Sequence, residues 1–284
     1  MKAGKLSYQQ AQTKEEAFAL HAAAAQDGTA KYMAGGQTLM PMMNLRLAFA
    51  DQVIDISRIA ALRQVEMRGA RQCIGAGVTH AMVEDGKVPD CARGYLHHVA
   101  GGIAYRSVRN RGTMGGSLCH ADPAADWPTA LLALDAAVLI EGEQGEREMP
   151  LAEFQVGLME TALTEGEMLK GILLPVLSEK SRWAYLKFCH KVGEFAHSIG
   201  AVVIDPKLNM ANVVLGAVSD KPLRLPQVSA RVAQGLSVAD AQGADFLRLI
   251  EQDIASGTSL EPDSYDFQVH KTMIKRAVVE ALKK

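Results

Sequence analysis

Aromatic side chains are scarce: Phe, Tyr and Trp together make up 5% of the 284 residues. A chain this poor in rings lacks the stacking platforms that hold single-stranded nucleic acid. A surplus of one charge is also missing. Thirty Lys and Arg stand against 32 Asp and Glu, for a formal net charge of −2, so there is no basic footprint for nucleic acid. The four cysteines, Cys73, Cys91, Cys119 and Cys189, form no Cys-x-x-Cys pair. That argues against an iron–sulfur or zinc centre in this chain, so no metal ligand is expected. The thiols are expected to be packing groups. No apolar run has the length needed to span a bilayer. Met1-Lys2-Ala3-Gly4-Lys5 has no apolar stretch behind it, so no secretory signal is read. The expected compartment is the cytoplasm, with reduced thiols.

Several motifs are absent too. Gly75-Ala76-Gly77-Val78-Thr79-His80 starts like a dinucleotide fingerprint, but His80 stands where the third glycine belongs. It reads as a plain strand-to-helix turn. No G-x-x-x-x-G-K-[ST] loop and no G-x-S-x-G elbow occurs. No acid–base or nucleophilic constellation is visible, so no catalytic side chain is expected.

What is present suits a soluble globule. The apolar fraction is 48%, and the chain is long enough for two domains. Helices are expected over residues 13–26, with Thr13 as N-cap and Glu16 at capping-box spacing, then over 40–47, 97–104 and 122–134. Asp122 would cap the last of these, with Pro123 in its first turn. Strands are expected at 31–34, 52–56, 62–67, 72–76, 136–141, 145–150 and 169–174. After a polar boundary at 177–181, three antiparallel strands (183–189, 199–205, 210–217) precede helices at 227–234, 238–255 and 265–282. The pattern is α+β, not a doubly wound sheet.

Two glycine-bearing segments carry the functional signal. One is Ala34-Gly35-Gly36-Gln37-Thr38-Leu39-Met40-Pro41. The other is Arg111-Gly112-Thr113-Met114-Gly115-Gly116-Ser117-Leu118, followed by Cys119-His120-Ala121-Asp122-Pro123-Ala124-Ala125-Asp126. Glycine reaches φ > 0 at little steric cost. Successive N–H groups can then converge on an anion. Two such loops together would grip a pyrophosphate from two sides, which points to a cofactor with a diphosphate bridge.

In this order and spacing the two loops, with Ile74-Gly75-Ala76-Gly77-Val78-Thr79 and Asp122-Pro123-Ala124-Ala125-Asp126, resemble the FAD-binding subunit family of molybdenum-containing hydroxylases. That group includes the carbon monoxide dehydrogenase medium subunit and the xanthine dehydrogenase flavin domain. The stretch from Trp183 to Leu282 resembles the family's C-terminal domain. The resemblance implies a two-lobed FAD-binding domain of the vanillyl-alcohol-oxidase type over residues 1–176, with lobes of about 1–56 and 57–176. A C-terminal domain over 181–284 would hold a three-stranded antiparallel sheet and a helix bundle. It also implies non-covalent FAD, an iron–sulfur partner subunit and a molybdopterin-binding large subunit, in a heterotrimer or a dimer of heterotrimers. Asn44 and Ser117 depart from the family pattern, which more often has a basic residue and Asn there.

By the same resemblance, Ala34, Gly35, Gly36, Gln37, Thr38 and Leu39 meet the pyrophosphate, and Thr113, Gly115, Gly116 and Ser117 form the opposite wall. Met114 is either part of that wall or a packing residue. Asp126 meets sugar hydroxyls of FAD. Ile103 either packs on the isoalloxazine ring or belongs to the core. Leu169 approaches the flavin. Lys187 is either a cation at the flavin edge or a solvated strand lysine. His120 and Asp122 line the loop, and His197 lies where some relatives place a basic residue. Arg109 and Arg111 either neutralise phosphate or face a partner.

Overall fold

The structure is a computed structural model and describes residues 2–284. Its first sheet is parallel. It holds β1 (Ser7–Gln10), β2 (Ala30–Met33) and β3 (Gln52–Asp55), with β3 in the centre. β1 was not expected, because Ser7-Tyr8-Gln9-Gln10 has no apolar alternation; its backbone ladder to β3 holds it in place. The helix Lys14–Ala25 makes the crossover that parallel strands need. Thr13 caps it as expected, accepting the Glu16 N–H at 3.1 Å. The Glu16 carboxylate reaches one residue further back, to the Gln12 N–H at 2.7 Å.

The second sheet is antiparallel. Its strands are β4 (Val65–Arg68), β5 (Arg71–Gly75), β6 (Ala137–Gly142) and β7 (Gly145–Pro150), with β10 (Met168–Pro175) in the middle of the order β4-β5-β10-β6-β7. A small hairpin, β8 (Gln155–Gly157) with β9 (Glu160–Thr161), precedes β10.

The third sheet contains β11 (Arg182–Phe188), β12 (Ser198–Asp205) and β13 (Met210–Gly216). A two-residue strand, β14 (Leu223–Arg224), adds a fourth member beyond the three expected. Every residue of β12 is buried. Its apolar run is continuous because both faces are covered. Ile199, Ala201 and Val203 enter the core shared with Ile74, Trp127 and Leu169. Val202 and Ile204 face the helices Pro226–Ala233, Ala244–Gly257 and Tyr265–Lys283. The main core therefore crosses the boundary read at residues 177–181.

Other boundaries shift. The helix expected from Asp122 runs over Asp126–Ala133, with Ala125 at its N-cap. Asp122 instead accepts the Ala124 N–H at 2.9 Å and closes a local turn. The helix expected from Val238 begins at Ala244, after a 3-10 turn at Asp240–Gln242. The remaining site helices are Leu39–Asn44, Tyr95–Gly101 and Met114–His120. No helix among the described residues is long and apolar enough to cross a membrane.

The third sheet is keyed to the helix Asp126–Ala133. Asn212 donates to the Ala133 carbonyl at 3.0 Å, and a Cβ on Gly216 would lie 2.0 Å from Thr129 Oγ1. Gly216→Ala is expected to cost about 1–3 kcal/mol by overpacking. Thr129→Ala in the same chain should recover part of that loss in a denaturation double-mutant cycle. Strictly additive losses would dismiss the contact.

Candidate functional site

The first glycine loop leaves β2 and turns into the helix Leu39–Asn44. Gly36 takes φ 68°, in the left-handed region that favours glycine. The N–H groups of Gly35, Gly36, Gln37, Thr38 and Leu39 follow one another with no acceptor among the described residues. Helical bonding begins only at Met40, whose N–H reaches the Gly36 carbonyl at 3.4 Å. Thr38 makes no side-chain cap, so its hydroxyl is not committed to the helix. Gln37 turns inward and donates to the Gly35 carbonyl at 3.1 Å. A row of unspent donors beside a left-handed glycine is the geometry of an anion-binding nest.

The second loop touches the first. A Cβ on Gly35 would stand 2.0 Å from the Arg111 carbonyl oxygen and 2.9 Å from Gly112 Cα. Arg111 Nε donates to the Gly35 carbonyl at 3.4 Å. Behind it, the second loop is stitched to the turn 75–80. The His80 N–H reaches Gly112 O at 2.9 Å, the Met114 N–H reaches Val78 O at 3.0 Å, and the Gly115 N–H reaches Ala76 O at 3.0 Å. Thr113 caps the helix Met114–His120, its hydroxyl accepting the Gly116 N–H at 2.9 Å and its carbonyl the Ser117 N–H at 3.1 Å. The N–H groups of Gly115, Gly116 and Ser117 are thus spent inside the protein. The second loop offers a close-packed wall, and the open donors lie on the first. Met114 is fully buried and packs in the core.

His80, which replaces the third fingerprint glycine, supports this wall. It is buried, and its Nδ1 accepts the Trp127 indole N–H at 2.9 Å. That bond leaves the proton of the neutral ring on Nε2. A Cβ on Gly112 would stand 2.8 Å from Nε2. Burial, with a contribution from the nearby Arg109 charge, lowers the His80 pKa to about 4. Arg109 itself is not available to phosphate. Its guanidinium donates twice to Glu84, at 2.8 and 2.7 Å, and to the Ile103 and Ala104 carbonyls, each at 2.9 Å. Arg111 remains exposed beside the first loop.

Asp126 and Lys187, expected at separate parts of a cofactor, are bonded to each other. Lys187 Nζ donates to Asp126 Oδ2 at 3.0 Å, and the Tyr185 hydroxyl donates to Oδ1 at 2.7 Å. Asp126 opens the helix Asp126–Ala133, where the dipole favours its charge. Burial still raises its pKa, with Lys187 and Tyr185 acting in the opposite sense. Lys187 also approaches Gly102 O at 3.4 Å, next to the half-buried Ile103. Leu169 is buried on β10 opposite Ile140. His120 ends its helix half-buried, with its pKa lowered by burial and Asp122 opposing the shift. His197 lies on an exposed loop, its ring 4.6 Å from that of His190. Sequence reasoning missed Tyr185, although Tyr185 and Lys187 are two apart on one strand and so share a face.

The family described as the FAD binding domain in molybdopterin dehydrogenase matches residues 4–177. The chain belongs to this family. It is an FAD-binding oxidoreductase subunit of the medium-subunit kind found in multisubunit molybdenum hydroxylases. It is 31% identical to the 6-hydroxypseudooxynicotine dehydrogenase complex subunit alpha of Paenarthrobacter nicotinovorans, over 99% of this chain and 96% of that protein. It is 37% identical to the carbon monoxide dehydrogenase medium chain of Hydrogenophaga pseudoflava, over 62% of this chain and 61% of that one. A solved structure of carbon monoxide dehydrogenase from the same organism superposes with a TM-score of 0.87 at 29% identity, covering 100% of this chain and 99% of the other.

Gly36→Val should lose FAD, because a branched residue at φ 68° is strained by about 1–3 kcal/mol. Gly116→Val should lose it too, because its Cβ would stand 2.9 Å from Thr113 Oγ1 and break the cap. Stoichiometric flavin absorbance in both purified variants would overturn the pyrophosphate assignment. For His80, the folded pKa of about 4 lies below the unfolded value of 6.5. Between these values the unfolded chain holds a proton that the folded chain does not. Stability therefore falls as pH drops through that window, by about 1.4 kcal/mol per unit. His80→Asn should remove that part of the slope in denaturant titrations at pH 4–7, and an unchanged slope would mean that the ring titrates normally.

Proposed function

We propose that this chain is the electron-transfer subunit of a molybdenum-containing hydroxylase or dehydrogenase, taking electrons from an iron–sulfur subunit and passing them to an external acceptor. The observation that carries the reading is the run of acceptor-less N–H groups from Gly35 to Leu39, walled by the second glycine loop. Such donors fit a diphosphate bridge. FAD bound there supplies the redox chemistry, and the protein supplies binding, orientation and electrostatics.

In this reading Ala34 and Gly35 to Leu39 hold the pyrophosphate. Thr113, Gly115, Gly116 and Ser117 close the other side by packing, with His120 and Asp122 behind them. Ile103 and Leu169 border the ring system. Asp126 and Lys187 act as a pair: the carboxylate keeps lone pairs for a sugar hydroxyl, and the ammonium is held near the flavin edge. The two-lobed domain of the vanillyl-alcohol-oxidase type, the division at residues 1–176 and 181–284, and a cytoplasmic location belong to the same proposal. So do the iron–sulfur and molybdopterin subunits and their assembly as a heterotrimer or a dimer of heterotrimers. The relative named a dehydrogenase complex subunit supports the assembly.

The isolated chain should retain FAD and be bleached by an artificial reductant, yet oxidise no organic substrate. Flavin reduction by substrate should appear only when the iron–sulfur and molybdopterin subunits are added. Robust substrate turnover by this chain alone would refute the electron-transfer role and favour a stand-alone flavin oxidase.

A further inference from the structure

A cavity of about 540 Å³, apart from both glycine loops, opens between the helix Tyr95–Gly101, the edge strand β11 and the C-terminal half of the helix Tyr265–Lys283. Two rings on its wall are held in place. Trp183 Nε1 donates to the Arg93 carbonyl at 2.9 Å, and His98 Nε2 bonds the Tyr185 carbonyl at 3.2 Å. The ring centroids are 5.4 Å apart, with planes inclined at 46°. Cations complete the lining. Lys284 Nζ lies 3.7 Å from the Trp183 ring centroid, and Lys275 and Arg276 project from the helix. Glu280 is the single carboxylate residue in the lining and is shared with Lys283 at 3.9 Å. Lys275 and Arg276 have no ion-pair partner among the described residues; the helix's pairs are Lys271–Glu251 and Lys283–Glu280. Both stand before the last turn, where the helix dipole gives no reason for a cation. The chain as a whole carries a net charge of −2, so this concentration of positive charge is local.

We propose that this cavity binds a planar aromatic anion. The ring would stack on Trp183 in place of the Lys284 ammonium, with the tilted His98 ring as a side wall. Its phosphate or carboxylate would take charge-assisted hydrogen bonds from Lys275 and Arg276. Lys284, displaced from the indole, would close on the anion from the rim. The volume falls in the range that accommodates small-molecule ligands. The site goes beyond the electron-transfer reading and does not depend on it.

Equilibrium dialysis of the flavin-loaded protein tests the site, with AMP and 1-naphthoate as probes. Each should saturate one site per chain; adenosine and inorganic phosphate alone should bind at least about tenfold more weakly, since each supplies half of the interaction. Lys275→Ser with Arg276→Ser should weaken binding about tenfold to hundredfold. Trp183→Leu should weaken it independently. Flavin absorbance should stay unchanged in these variants, and so should the melting temperature of the Lys275→Ser, Arg276→Ser pair; Trp183→Leu, which also loses the bond to the Arg93 carbonyl, should melt lower. Saturation by AMP alone would assign the site to a nucleoside phosphate, and by naphthoate alone to an aromatic carboxylate. Absence of saturable binding, or binding indifferent to all three substitutions, would overturn the proposal. So would release of FAD by AMP, which would make the cavity part of the flavin site. Flavin content is read separately, so failure here leaves the electron-transfer reading standing.

Discussion

Backbone contact through glycine sets the arrangement on which the candidate site depends. Gly75 sits where a Cβ would be 2.3 Å from the Leu62 carbonyl oxygen, Gly115 where it would be 2.4 Å from Ala76 Cβ, and Gly35 where it would be 2.0 Å from the Arg111 carbonyl oxygen. Each contact brings one segment onto the next: the Leu62 region onto the turn 75–80, that turn onto the second loop, and the second loop onto the first. Glycine serves here less as a hinge than as a spacer of zero thickness. The single left-handed conformation in the first loop, at Gly36, is a separate device that releases the row of N–H donors.

The second loop has become scaffold. Its N–H groups are bonded to Val78, Ala76 and Thr113, and a neutral His80 backs Gly112. A charged imidazole there would be a buried cation beside Arg109, which explains why the ring stays neutral. The N–H groups left without an acceptor are thereby concentrated on the first loop. Arg109 contributes by fixing the carbonyls of Ile103 and Ala104, while Glu84 neutralises it.

Much of this was legible from local chemistry. Paired glycines marked both loops, Thr13 marked its cap, and the apolar run at residues 199–204 marked a strand, whose two covered faces only the structure shows. What escaped did so for physical reasons. β1 is polar and owes its place to a backbone ladder with residues distant in sequence, so no side-chain period reports it. Asp122 followed by Pro123 has the chemistry of a helix start, but the same carboxylate can close an Asx turn, and tertiary contacts chose the turn. The bonds of Arg109 to Glu84, and of Asp126 to Lys187 and Tyr185, join residues 25 to 61 positions apart. No pattern along the chain specifies such partners.

The pairing of Asp126 with Lys187 and Tyr185 ties the seating of one helix to the third sheet. Without the third sheet, the helix that begins at Asp126 lacks β12 and β13, the strands it packs on, as well as both donors for its carboxylate. Burying that carboxylate alone is strongly unfavourable. One docked sheet thus supplies both the apolar cover of this helix and, from β11, the hydroxyl and the ammonium that its buried carboxylate requires.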